Sequence, residues 1–132
     1  MIYLDHGATS FPKPRSVVNA VSRAMETCAN PGRGGYEAAM RASRTVLDCR
    51  EQAGELFSCQ PEQVVFTSNC THGLNIAIGS LVRPGSRVVI SGFEHNAVTR
   101  PLHALKAKTV VAGRLLFDPE DTLESFRRAL DQ

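Results

Sequence analysis

Apolar residues return at helical intervals through two long stretches of the chain and gather in short runs elsewhere. Val17, Val21, Ala24, Met25 and Cys28 recur at spacings of one, three and four, which predicts a helix starting near Ser16. Ala38, Ala42, Val46, Cys49, Ala53 and Leu56 repeat at four, four, three, four and three. That stripe predicts a longer helix ending near Phe57, whose small alanines pack closely on a neighbouring layer. Asn30-Pro31-Gly32-Arg33-Gly34-Gly35 separates the two helices. This loop is either a plain interhelix turn or a backbone bare enough to approach a ligand. Arg33 there is either a solvated charge or a partner for an anionic group. Short apolar runs at residues 2–4, 64–66, 87–90 and 108–112 predict strands. Residues 74–82 are apolar on nearly every side and predict a buried helix. A further helix is expected over residues 96–105, with Pro101 near its first turn or kinking it. Residues 115–117 read as a short extended piece. Asp118 then caps a last helix that has Pro119 first, Glu120 and Asp121 in its opening turn, and a stripe of Leu123, Phe126 and Leu130.

From the first strand onward, strands alternate with helices, which predicts an α/β layer structure with a mostly parallel sheet flanked by helices. Such sheets bind ligands beyond the carboxyl ends of their strands. Residues 67–71 and 94–95 both follow strand ends, so both candidate sites are expected on one edge. Ser68 and Asn69 are good N-cap residues. A buried helix start leaves backbone N–H groups without partners at the positive end of the helix dipole, which suits an anion. Cys70 and Thr71 are therefore phosphate candidates, with the Thr71 hydroxyl as a further donor; the alternative is an ordinary capped helix. His95 carries a flat imidazole that can lie against an aromatic ring and move protons near neutral pH. Its alternative is a plain loop or core histidine.

Composition narrows the function classes. The 132 residues carry a net charge of only +2, with Lys and Arg scattered, which excludes the clustered basic surface of a nucleic-acid binder. No apolar run approaches the roughly 18 residues of a membrane span. The start, Met1-Ile2-Tyr3-Leu4-Asp5, lacks the pattern of a signal peptide, so a soluble cytoplasmic protein is expected. Cys28, Cys49, Cys59 and Cys70, separated by 21, 10 and 11, fit no zinc or C-x-x-C pattern. They are expected as free thiols, with Cys28 and Cys49 buried as small hydrophobes. Glu37 and Arg41 form an i, i+4 pair, and Arg44, Asp48 and Glu55 read as solvated charges.

Four segments in order carry a family resemblance. Phe66-Thr67-Ser68-Asn69-Cys70-Thr71-His72-Gly73-Leu74-Asn75 resembles the phosphate-binding segment of class V aminotransferases, closest to the cysteine desulfurase and selenocysteine lyase branch. Ile2-Tyr3-Leu4-Asp5-His6-Gly7-Ala8-Thr9-Ser10 resembles the opening strand and loop of that family. Asn30-Pro31-Gly32-Arg33-Gly34 resembles its next loop. Glu94-His95-Asn96-Ala97-Val98 resembles the segment whose histidine covers the cofactor ring. The resemblance implies a fold-type-I enzyme dependent on pyridoxal 5'-phosphate (PLP). It implies phosphate contacts at Cys70 and Thr71, ring stacking and proton transfer at His95, and a substrate pocket bordered by Ala8 and Thr9. Residues 1–15 would be the strand and loop at the active site, and residues 16–132 the first part of the large, three-layer domain. The implied substrate is L-cysteine, releasing alanine and passing sulfur to an enzyme thiol. A homodimer and a sulfur-acceptor protein go with it.

Three departures bear on that expectation. Cys70 stands where the family usually has a small residue, His72 where desulfurases often have an acid, and His6 where asparagine is frequent. The lysine that holds the cofactor covalently lies downstream in relatives, in a serine-x-histidine-lysine context that Lys13, Lys106 and Lys108 lack. The chain is accordingly expected to be the N-terminal part of a longer enzyme, inactive alone. The alternatives are a selenocysteine lyase or other class V transferase, a non-catalytic fragment that keeps only the fold, and a cysteine metal module.

Overall fold

The computed structural model describes residues 2–115 and 117–131. The chain divides into two compact units, Met1–Val65 and Phe66–Gln132.

The first unit is helical. Helix α1 spans Arg15–Thr27 and helix α2 spans Glu37–Phe57, followed by a short 3-10 turn at Pro61–Gln63. Both helices lie where the apolar spacing predicts them. Their joint is a backbone bond from the Ala29 N–H to the Ala38 carbonyl, 3.1 Å. The Glu37–Arg41 ion pair forms on the exposed side of α2, and Arg44, Asp48 and Glu55 are exposed. The buried stripe of α2 differs from the expected one. It passes through Ala39, Ala42 and Gly54; Cys49 and Leu56 are exposed and Ala38, Val46 and Ala53 half-buried. Gly54 is buried by the return of the chain at the end of the helix. Ser58 takes a left-handed conformation and brings the Cys59 carbonyl over Gly54, where a Cβ would stand 2.7 Å from that oxygen. Cys28 caps α1 and is half-buried, so neither Cys28 nor Cys49 is the buried hydrophobe expected; all four thiols are free.

Residues 2–4 form no strand, contrary to expectation. A strand needs a ladder partner for its N–H and C=O groups, and among the described residues none pairs there. Tyr3 instead organises the following loop. Its hydroxyl donates to the carbonyls of Thr9 (2.8 Å) and Asp5 (3.1 Å). Its ring meets His6 and Phe11 edge-on.

The second unit is α/β. Helix α3 (Cys70–Leu81) is followed by strand β1 (Arg87–Ser91), helix α4 (Asn96–Ala104), strand β2 (Lys108–Ala112) and helix α5 (Pro119–Leu130). The strands pair in parallel, Arg87 opposite Lys108 through Ser91 opposite Ala112, with α4 as the crossover. This is the expected βαβ arrangement. Leu102, Ala97, Ala112 and Ala129 are its buried apolar residues. The Arg87 guanidinium bonds the Ala129 carbonyl and the Gly113 N–H donates to Ser125 Oγ (2.7 Å), so the middle and the carboxyl end of α5 are tied to β1 and to the residue after β2.

Four expectations change here. Residues 64–66 join no ladder among the described residues. No residue of α3 is buried, and Ile76 and Leu81 are exposed. Its all-round apolar surface has too few neighbours to cover it: α4 is its main packing partner among the described residues. On α5, Phe126 is half-buried and Ala129 buried, while Leu123 and Leu130 are exposed. The piece at residues 115–117 is not extended where it is described: Leu115 lies in a bend and Phe117 is left-handed, and Leu116 falls outside the described residues. The Asp118 cap holds, its carboxylate accepting the Asp121 N–H at 2.9 Å. Pro101 sits in the second turn of α4. Among the described residues no helix is long and apolar enough to cross a membrane.

Candidate functional site

The site is built from two helix starts in the second unit. At the first, Asn69 is the N-cap of α3 and Ser68 precedes it. The Asn69 backbone is extended, which aims its side-chain oxygen at the His72 N–H, 2.9 Å away. The Gly73 N–H bonds the Asn69 carbonyl (3.1 Å), which also accepts the Thr67 hydroxyl (3.0 Å). A Cβ on residue 73 would lie 3.3 Å from Thr67 Oγ1, so glycine lets the turn close this tightly. The His72 imidazole reaches back, its Nδ1 accepting the Ser68 N–H at 3.4 Å. An acidic residue does the comparable job in a capping box, and a neutral ring acceptor does it here without adding negative charge. After these bonds, the N–H groups of Cys70 and Thr71 have no partner among the described residues. They are two free donors at the positive end of a helix dipole.

At the second start, Glu94 and His95 leave the carboxyl end of β1. Glu94 Oε1 accepts from the Ser91 N–H (3.2 Å) and hydroxyl (2.7 Å), which fixes the turn. His95 is the N-cap of α4, its Nδ1 accepting the Ala97 N–H at 3.1 Å. With Nδ1 used as an acceptor, the neutral ring carries its proton on Nε2.

Helices α3 and α4 pack together, and a cleft of about 390 Å³ opens between them, lined by Thr71, Asn75, His95, Asn96 and Arg100 among others. The volume is in the range of small-molecule sites, about 300–1,000 Å³. Thr71 and His95 thus share one cleft. The exposed Cys70 is not part of its lining but offers its backbone N–H beside Thr71. Asn75, Asn96 and Arg100 were not singled out from the sequence as site residues. Thr71 with Asn75, and Asn96 with Arg100, stand four apart, and that spacing on two adjacent helices was the available signal. Asn75 Nδ2 donates to the Thr71 carbonyl at 2.8 Å, which steadies the first turn of α3.

Ala8 and Thr9 belong to the first unit. The Ala8 N–H bonds the Asp5 carbonyl (3.1 Å) and the Thr9 hydroxyl accepts from Lys13 Nζ (2.8 Å). Arg33 and His6 are exposed. Among the described residues no three His, Cys, Asp or Glu side chains gather closely enough to hold a metal.

The family model for class-V aminotransferases matches residues 2–125. A probable cysteine desulfurase of Methanothermobacter thermautotrophicus is 34% identical over 111 residues, covering 83% of this chain and 28% of that protein. A cysteine desulfurase of Frankia sp. is 32% identical over 136 aligned positions, covering 94% of this chain and 32% of the relative. Among solved structures, the apo cysteine desulfurase from Thermococcus onnurineus NA1 superposes with a TM-score of 0.72 at 26% identity, over 84% of this chain and 30% of that one. The chain therefore has part of the α/β, fold-type-I architecture, and it spans about a third of the length of these relatives. With a match running through nearly all its residues, the chain belongs to the class-V aminotransferase family.

Proposed function

We propose that this chain supplies the phosphate-binding turn and the ring-facing histidine of a PLP-dependent cysteine desulfurase. The observation that carries the reading is the shared cleft of Thr71 and His95, with two unpartnered N–H groups at its edge. Family membership and the desulfurase relatives support the same cofactor and substrate. The residues fit a phosphorylated pyridine: free donors at a helix start for the phosphate, a hydroxyl beside them, and an imidazole in the same cleft. PLP, when bound, supplies an electron-poor ring that stabilises negative charge on the carbon next to an amino group.

The parts read for this chain are supported by its bonds at the two helix starts and, for Ala8 and Thr9, by the family resemblance alone. The Cys70 and Thr71 N–H groups bind phosphate oxygens, and the Thr71 hydroxyl donates a third bond. His95, which lines the same cleft, would face the ring. Because Nδ1 is held by Ala97, its proton sits on Nε2, where it can be donated. Ala8 and Thr9 border the substrate. The covalent lysine and the sulfur-accepting cysteine come from elsewhere in the full enzyme, which works in the cytoplasm as a homodimer and hands sulfur to an acceptor protein.

The test is a binding titration of the chain with PLP and with pyridoxal, which lacks the phosphate. PLP should bind at least about tenfold tighter, the worth of one or two charge-assisted hydrogen bonds. Thr71→Ala should lower PLP affinity and leave pyridoxal unchanged. Equal affinity for the two compounds would sink the reading. For the full-length enzyme, sulfide and alanine formed together from L-cysteine under reducing conditions is the expected activity; turnover of selenocysteine alone would redirect the assignment to a lyase.

A further inference from the structure

The cleft holds a cation that the proposed phosphate turn does not use. Arg100 follows Asn96 by four residues on α4, and both line the cleft with Thr71 and His95. The Arg100 side chain is exposed and makes no ion pair or hydrogen bond among the described residues. Among the described residues no aspartate or glutamate lines the cleft. Glu94, the acid nearest to His95 in the chain, is turned onto Ser91. Two helix starts, α3 and α4, lie beside the same space and add their positive partial charges. The cleft thus combines one full positive charge, two positive helix ends and no acid, and its complement is an oxyanion. A guanidinium is the side chain suited to that partner, since its planar fork matches a carboxylate or phosphate with two parallel bonds.

We propose that Arg100 is a second anion anchor of this cleft, holding a carboxylate or phosphate oxygen pair of the bound ligand. The inference rests on the PLP reading for the identity of that ligand. A carboxylate would come from an amino-acid substrate and a phosphate from the cofactor, and two probes separate the sources. PLP carries only the phosphate. The stable reduced conjugate N-(5'-phosphopyridoxyl)-L-alanine carries both groups.

The chain and its Arg100→Gln variant are titrated with each probe and with pyridoxal, and folding is checked by far-ultraviolet circular dichroism. Loss of about tenfold or more in affinity for the conjugate alone assigns Arg100 to the carboxylate. An equal loss on both probes assigns it to the phosphate. Arg100→Lys, which keeps the charge without the fork, should recover part of either loss. In the wild-type chain, the Arg100 Nε resonance should shift on addition of the matching probe. Unchanged affinities for both probes in Arg100→Gln, with an unmoved Nε resonance, would overturn the proposal. Thr71→Ala, run in parallel, keeps the two readings apart. A loss there with none in Arg100→Gln removes only the Arg100 anchor. A loss in Arg100→Gln with none in Thr71→Ala keeps the anchor and removes the phosphate turn.

Discussion

At the scale of single residues, His95 couples a structural bond to its site role. Its Nδ1 caps α4 through the Ala97 N–H, so the same ring that faces the cleft also holds the helix start in place. The two roles separate by substitution. His95→Ala removes cap and ring together and should destabilise the fold by about 1 kcal/mol, the usual cost of a lost N-cap. His95→Asn restores a good cap without the ring. Urea denaturation should therefore find His95→Asn close to the wild type, while its PLP affinity falls to that of His95→Ala. If both variants unfold at the wild-type midpoint, the cap is not a source of stability. His72 shows a related economy of means. Its Nδ1 takes the Ser68 N–H, while the Cys70 and Thr71 N–H groups have no partner among the described residues.

At the scale of elements, α2 shows how a turn can override a periodic stripe. Near its carboxyl end spacing alone places Ala53 and Leu56 on the buried side, but the left-handed Ser58 folds the chain back over Gly54. Two effects then compete at residue 54. Alanine is favoured over glycine in a helix interior by about 1 kcal/mol. Against that, the new Cβ would stand 2.7 Å from a backbone oxygen that no side-chain rotation can move. The clash should win. Gly54→Ala is expected to lower the thermal midpoint, whereas Ala53→Gly next to it should cost only the propensity difference. A rise in midpoint for Gly54→Ala would show that the turn after α2 gives way. In the second unit, β1, α4 and β2 close as a parallel unit with a single register, because the crossover helix buries Ala97 and Leu102.

At the scale of the molecule, the apolar surface is large. Ile2, Leu4, Leu56, Leu81 and Phe117 are each at least 77% exposed. Apolar surface on this scale marks contacts still to be made. The chain on its own should therefore bind the dye 8-anilinonaphthalene-1-sulfonate with a clear rise in fluorescence and associate as its concentration rises. Sedimentation at several concentrations checks this. A monomer at every concentration that leaves the dye dark would show that these residues are covered in solution.

The helices, the α/β class and the Cys70–Thr71 turn were legible in the sequence because they depend on local rules: apolar period, capping chemistry and proline placement. Asn69, Asp118 and Pro119 act where a local reading puts them. The four ordered motifs also carried the family. Burial and pairing were decided only by tertiary structure. Residues 2–4 and 64–66 are apolar enough for strands, yet a strand needs a second strand alongside it, and neither segment lies in a ladder among the described residues. Leu123, Leu130 and the faces of α3 are apolar by type and exposed by position, since burial requires a neighbouring element to cover them. The cleft belongs to the same class of fact. Thr71 and His95 are 24 positions apart, and only the packing of α3 on α4 brings them, with Asn75, Asn96 and Arg100, to one space.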